Sequence, residues 1–94
     1  MRDRETIKDH GSHDPETLAL QALVWILADE KRADRLLALT GLDGSAMRSR
    51  LGDPAMLVAV LDFLGQHEPD LIACALALDV KPTDLISASE RIGR

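Results

Sequence analysis

Cys74, His67 and Asp62 are the residues of this chain whose types could carry chemistry, and each depends on its local sequence. Cys74 lies inside Leu71-Ile72-Ala73-Cys74-Ala75-Leu76. A reactive thiolate needs a neighbouring base or positive field and some exposure, and an apolar stretch offers neither. The spacing therefore assigns Cys74 to the core, where a free cysteine behaves as a small hydrophobe. His67 follows Gln66 at the end of an apolar run, where an imidazolium suits a helix C-terminus. Glu68 and Asp70 could join it around a metal ion, but no His-x-x-x-His or Cys-x-x-Cys spacing accompanies them. His10 and His13 are spaced as weak chelators in a polar N-terminal segment. No glycine-rich phosphate loop, nucleophile elbow or triad spacing occurs. The expectation is a non-enzymatic protein with no catalytic residue, no metal site and no cofactor.

Asp62 is the one charge in the otherwise apolar run Pro54 to Gly65. Buried and unpaired, it would be costly and its pKa would rise, as in a general acid. At helical spacing its neighbours are Ala55, Val58, Ala59 and Gln66, the least apolar stripe of that run. No second acid sits at i±3 or i±4 to form a catalytic pair. Asp62 is therefore expected to face water or a partner.

These residues must be positioned by helices. Leu and Ala dominate, strand-type runs rich in Val, Ile, Thr and Tyr are absent, and aromatics are only 2%, which selects an all-α fold. Asp14-Pro15 and Asp53-Pro54 are helix starts, each a capping carboxylate followed by a proline whose missing N–H costs nothing in the first turn. The first helix runs to about Ala28. Leu20, Leu23, Ile26 and Leu27 are expected to line its inner side, widened by Leu18, Ala22 and Trp25. Thr17, Gln21, Val24 and Ala28 form the leftover stripe. The second helix spans about Lys31 to Thr40 and is closed by Gly41 in a left-handed conformation, with Leu42 folding back on Leu37. Asp43-Gly44-Ser45 opens a short third helix carrying Ala46, Met47 and Leu51 and stopping at Gly52. After the central helix, a fifth runs from near Pro69 to Leu78. Pro82-Thr83-Asp84 opens the last, with Leu85, Ile86 and Ile92 inward. The reading is a six-helix globular bundle forming a single domain over residues 14–94. The polar segment 1–13, without a periodic apolar face, is expected to be a mobile tail.

A shift of thirty-eight residues, the distance from Leu18 to Met56, lays the first half on the second. Leu23 falls on Leu61, Trp25 on Phe63, Leu36 on Cys74 and Met47 on Leu85. The stripe Thr17, Gln21, Val24, Ala28 falls on Ala55, Ala59, Asp62, Gln66. The expectation is two pseudo-repeated three-helix units, too few for an open solenoid, closing on each other or on a second copy of the chain.

A net charge of −5 argues against a general nucleic-acid or anionic-membrane binder. The longest apolar run, Leu71 to Leu78, is far short of the ~20 residues that span a bilayer. A single cysteine allows no internal disulfide and fits a reducing compartment. The N-terminus has charges but no apolar h-region, and a cytoplasmic location is expected.

Leu18-Ala19-Leu20-Gln21-Ala22-Leu23, Leu37-Ala38-Leu39-Thr40-Gly41-Leu42, Asp53-Pro54 and Val60-Leu61-Asp62-Phe63-Leu64 together resemble the alphaproteobacterial domain-of-unknown-function family 3572. The resemblance covers nearly everything after His13. It implies a small helical domain of bacterial cytoplasmic origin and carries no activity, cofactor or catalytic residue with it.

The remaining candidates are contact residues. Lys31, Arg32 and Arg35 on the second helix, with Arg48 and Arg50 on the third, would form a positive patch for an acidic partner if those helices are adjacent. Asp29, Glu30 and Asp34 are interleaved with them, which is also the pattern of a solvated face. Gln21, Asp62 and Gln66 lie on the stripes whose small residues permit close helix approach. Trp25 is expected in the core, or at an interface if it reaches the surface. The leading functional reading is a small interaction or adaptor module for an unknown protein partner or a second copy of itself. The alternative is a helix-turn-helix-like DNA-binding accessory protein using Pro82 to Arg94, whose recognition positions Thr83, Asp84, Ser87 and Ser89 are poor in the Arg, Asn and Gln that read bases.

Overall fold

Aspartates begin the first four helices by taking backbone N–H groups that a helix cannot satisfy from within. The computed structural model describes residues 14–93, and the expected tail 1–13, with His10 and His13, and Arg94 lie outside the described residues. The helices are α1 (Pro15–Leu27), α2 (Glu30–Thr40), α3 (Gly44–Ser49), α4 (Pro54–Gly65), α5 (Glu68–Leu78) and α6 (Pro82–Ile92), with no strand among the described residues. Asp14 accepts from the Thr17 N–H at 2.9 Å and Asp29 from that of Arg32 at 3.0 Å. Asp43 accepts from Ala46 at 2.7 Å and Asp53 from Ala55 at 3.0 Å. At α6 the direction is reversed: Asp84, inside the first turn, accepts from the Lys81 N–H at 2.9 Å.

The C-terminal ends use two devices. Gly41 (φ 74°) and Asp79 (φ 58°) close α2 and α5 in the left-handed conformation. The Gly41 N–H donates to the Leu37 carbonyl at 2.8 Å, and the Val80 N–H to Ala75 at 2.9 Å. α1 has no basic residue in its own last turn. Arg32 of α2 supplies one: its Nη2 donates to the Trp25 carbonyl at 2.8 Å, and its guanidinium lies 3.7 Å from the centre of the Trp25 ring. A cation at a helix C-terminus and over an indole face is favourable on both counts.

The core forms around α4, which buries Met56, Leu57, Val60, Leu61, Phe63 and Leu64. α1 contributes Leu18, Ala19, Ala22, Leu23 and Ile26, and α5 contributes Leu71, Cys74 and Ala75. α2 and α3 each bury a single residue, Leu36 and Met47. α6 lies across both α1 and α4 through Leu85 and Ala88. Trp25 is half-buried at the edge of this core, beneath Arg32.

Three residues expected inward face water instead: Leu20, Leu27 and Ile86 are exposed. On α1 the cause is Ala19 and Ala22, both fully buried, which let neighbouring helices approach closely and centre the buried face on the alanines. α3 stops at Ser49 rather than Gly52 and leaves Leu51 exposed in the following turn. α2 and α5 begin one residue before their expected starts. At the thirty-eight-residue offset, α2 and α5 have the same length, and the left-handed Gly41 falls on the left-handed Asp79. The third pair differs, since α3 has six residues and α6 has eleven.

The two left-handed caps make opposite predictions. Gly41→Ala forces a Cβ into that conformation and is expected to lower stability by about 1 kcal/mol. Asp79→Gly relieves the same strain and should raise it by ~0.5 kcal/mol, the gain being reduced by the looser unfolded chain. Urea unfolding of the two variants beside the parent checks both signs.

Candidate functional site

The basic residues that adjacency of α2 and α3 would bring into one patch lie apart. Arg32 is bound to Trp25, and Arg35 bridges to Asp70 of α5 at 2.8 Å. Arg50 lines a cleft between the end of α2 and α4, while Arg48 lines a different groove. α2 and α3 do not pack extensively on each other, so the arginines of the two helices do not merge into one patch.

The cleft beside α4 has a volume of about 440 Å³ and brings Asp62 and Gln66 together with Leu39, Thr40, Arg50 and Asp53. Several of its polar groups already have structural partners. Asp53 caps α4, and the Thr40 hydroxyl donates to the Leu36 carbonyl at 3.0 Å. Asp62 is exposed, and the Ser89 hydroxyl of α6 donates to it at 2.9 Å. Among the described residues no cysteine, serine or histidine lines the cleft beside these carboxylates. Asp14 and Cys74, whose pKa values are displaced, lie elsewhere. The N–H and hydroxyl of Thr17 hold the exposed Asp14 carboxyl below its ordinary value. Burial pushes the Cys74 thiol up to about 11, so it is protonated at neutral pH and is not a nucleophile there.

His67 sits between α4 and α5, its Nδ1 3.0 Å from the Phe63 carbonyl and its ring 5.0 Å from the Phe63 ring. Glu68 and Asp70 occupy the first turn of α5, where the helix dipole favours acids. Among the described residues no group of three or more His, Cys, Asp and Glu could hold a metal ion. On α6, Asp84 serves as a cap and Ser89 is taken by Asp62, so two of the four candidate base-reading side chains are already engaged.

The feature that sequence reasoning missed is an apolar groove of about 380 Å³ bounded by α1, α2 and α3. Leu20, Val24 and Leu27 of α1 face Leu37, Met47 and Leu51, and among the described residues Arg48 is the one charged residue in its wall. Val24 is 69% exposed, and Leu20, Leu27 and Leu51 are exposed as well. The signal was present in α1, which is apolar almost all round and cannot bury every face. Leu20 and Leu27 were assigned to the core because periodicity alone does not say which of two apolar faces wins. Gln21 flanks the groove on the exposed side of α1, while Lys31 is exposed at the start of α2.

A second unpartnered apolar surface lies on α5. Its inner side is buried, yet Ile72 is 52% and Leu76 is 81% exposed. No helix among the described residues is long and apolar enough to cross a membrane.

The model of a family described as a protein of unknown function (DUF3572) matches residues 12–94. No curated protein and no solved structure matches the chain.

The Cys74 environment yields two expected outcomes. At pH 8 only about a thousandth of such a thiol is ionised, so an aromatic disulfide reagent should react with the native protein no faster than it unfolds, and at once in denaturant. The folded thiol keeps its proton above the unfolded value near 9, so stability should fall between about pH 9 and 11, and less so in Cys74→Ala. Denaturation midpoints across that window check the difference between the two proteins.

Proposed function

The chain belongs to the DUF3572 family, and we propose that it is a non-enzymatic protein-interaction module whose contact face is the groove between α1 and α3. The observation that carries this reading is the contrast between two seams at matching positions of the two halves. In the second half, α4 and α6 meet at a seam whose rim is polar: Asp62 and Ser89 are hydrogen-bonded to each other there. Thirty-eight residues earlier the corresponding positions are Val24 and Leu51, both exposed and both lining the apolar groove. One seam is finished for water and the other is left apolar. We read the domain as two related three-helix units, of which the second is completed by the longer α6 and the first leaves room for a partner.

Scattered exposed leucines are ordinary on a protein surface. Contiguous ones drawn from two elements and lining one groove mark a binding surface. Fully covering each such side chain is worth about 1.5–3 kcal/mol before the costs of association are subtracted. That is sufficient for a reversible contact. It also accounts for a chain whose titratable groups are committed to caps and helix ends rather than gathered around a reacting centre.

Val24→Arg places a charge in the groove at a position the fold does not need. Quantitative affinity capture from the native cells, with parent and Val24→Arg chains side by side, should show partners recovered with the parent and lost by at least tenfold with the variant. Equal recovery with both would reject the groove as the contact face.

A further inference from the structure

Resting on that reading of the groove, we infer that its occupant is a second copy of this chain, which presents the outer face of α5. α5 is apolar on both sides. Leu71, Cys74 and Ala75 are buried against the rest of the domain, while Ile72 and Leu76 point to water one turn apart. A helix apolar on both sides belongs in an interior, and here no element among the described residues covers its outer side. Ile72 and Leu76, four residues apart, form a ridge, and Ala73 and Ala77 beside them keep its flank low. A ridge at i, i+4 spacing seats in a groove between side-chain rows, which is how helices pack on helices.

Charge fits as well as shape. The ridge runs from Glu68 in the first turn of α5 to Asp79 at its cap, so acids stand at both ends. Among the described residues the groove carries Arg48 in its wall and no acid. Ridge and groove share no residue, so one molecule can offer both at once. The contact is heterologous: a copy that fills its neighbour's groove leaves its own groove open for the next, and association continues into a ring or a chain of copies. An interface resting on a few apolar side chains is weak, on the order of 10 µM to 1 mM in dissociation constant.

The heterologous geometry makes a test that pairwise symmetric models fail. Light scattering or sedimentation velocity from about 10 µM to 1 mM should show the parent mass rising beyond that of a dimer. Val24→Arg removes the groove and Leu76→Arg the ridge, so each alone should stay monomeric. Mixed in equal amounts they should form a 1:1 heterodimer and stop there, because one supplies an intact ridge and the other an intact groove. Both side chains stand in water, so unchanged helical circular dichroism and melting confirm that the variants are folded. A parent that remains monomeric throughout overturns the inference, while partners captured through Val24 would still uphold the groove. Loss of association in Val24→Arg but not in Leu76→Arg would overturn it too, pointing instead to a symmetric α1–α1 contact. Folded variants that stay monomeric when mixed would also overturn it.

Discussion

Phe63 and Leu64 are buried to within 1% of full occlusion in α4, and α1, α2, α5 and α6 all pack against that helix. Covering α4 is the constraint that the other helices meet together. The chain has one tryptophan and one phenylalanine to do it with, so volume comes from leucine, and closeness comes from alanine at Ala19, Ala22, Ala75 and Ala88. Close packing around small residues retains dispersion contacts that a looser leucine layer would lose. It also sets which side of each outer helix turns inward. α1 and α5 are apolar nearly all round, and a chain of this length buries only somewhat over ~60% of its unfolded surface. Once α4 is covered, no further element among the described residues covers them. The groove at Val24 and the ridge at Leu76 follow from the same shortage.

The charged residues are arranged by the helices more than by any ligand. Asp14, Asp29, Asp43, Asp53 and Asp84 hold backbone N–H groups at helix starts, so a substantial part of the acidity that gives the net charge of −5 is structural. Arg32 and Arg35 likewise tie α2 to α1 and α5, each through a charge-assisted bond. α2 buries only Leu36, so it is held as much by these edge contacts and its caps as by the core. Arg48 is different: among the described residues it forms no ion pair, and it stands in the wall of the apolar groove.

Helix starts and stops were legible in the sequence because they are local. A carboxylate, a proline and a left-handed glycine act within four residues, and Asp53-Pro54 and Gly41 do in the structure what their chemistry dictates. The exposed position of Asp62 was legible too, since its i±3 and i±4 neighbours were the least apolar of α4. The buried face of α1 was not. Leu20, Leu23 and Leu27 have the same local character, and only the crossing of other helices at Ala19 and Ala22 separates the buried Leu23 from its exposed neighbours. The condition for a joint basic patch, adjacency of α2 and α3, was likewise not legible, because neighbours in sequence need not pack. The groove was not legible because periodicity places Leu20 and Leu27 in the core and Leu51 on the third helix, whereas the structure exposes all three.

On the proposed reading of two related units, residues paired at the thirty-eight-residue offset can be compared for burial and exposure. Some paired positions are buried apolar residues of similar size, as at Leu23 and Leu61, Ile26 and Leu64, and Met47 and Leu85, while Ala19 and Leu57 or Ala22 and Val60 differ in size. Along the α4–α6 seam the second half carries Asp62, Gly65 and Ser89 beside the exposed Ile86, and thirty-eight residues earlier the chain carries Val24, Leu27 and Leu51. Folding does not require those three side chains to be apolar, since they are exposed in the single chain. Apolar side chains in water raise the cost of solvating the folded state. On the proposed reading of the groove as a contact face, a partner that covers Val24, Leu27 and Leu51 offsets that cost, which hydrophilic side chains such as Asp62 and Ser89 at the α4–α6 seam do not incur.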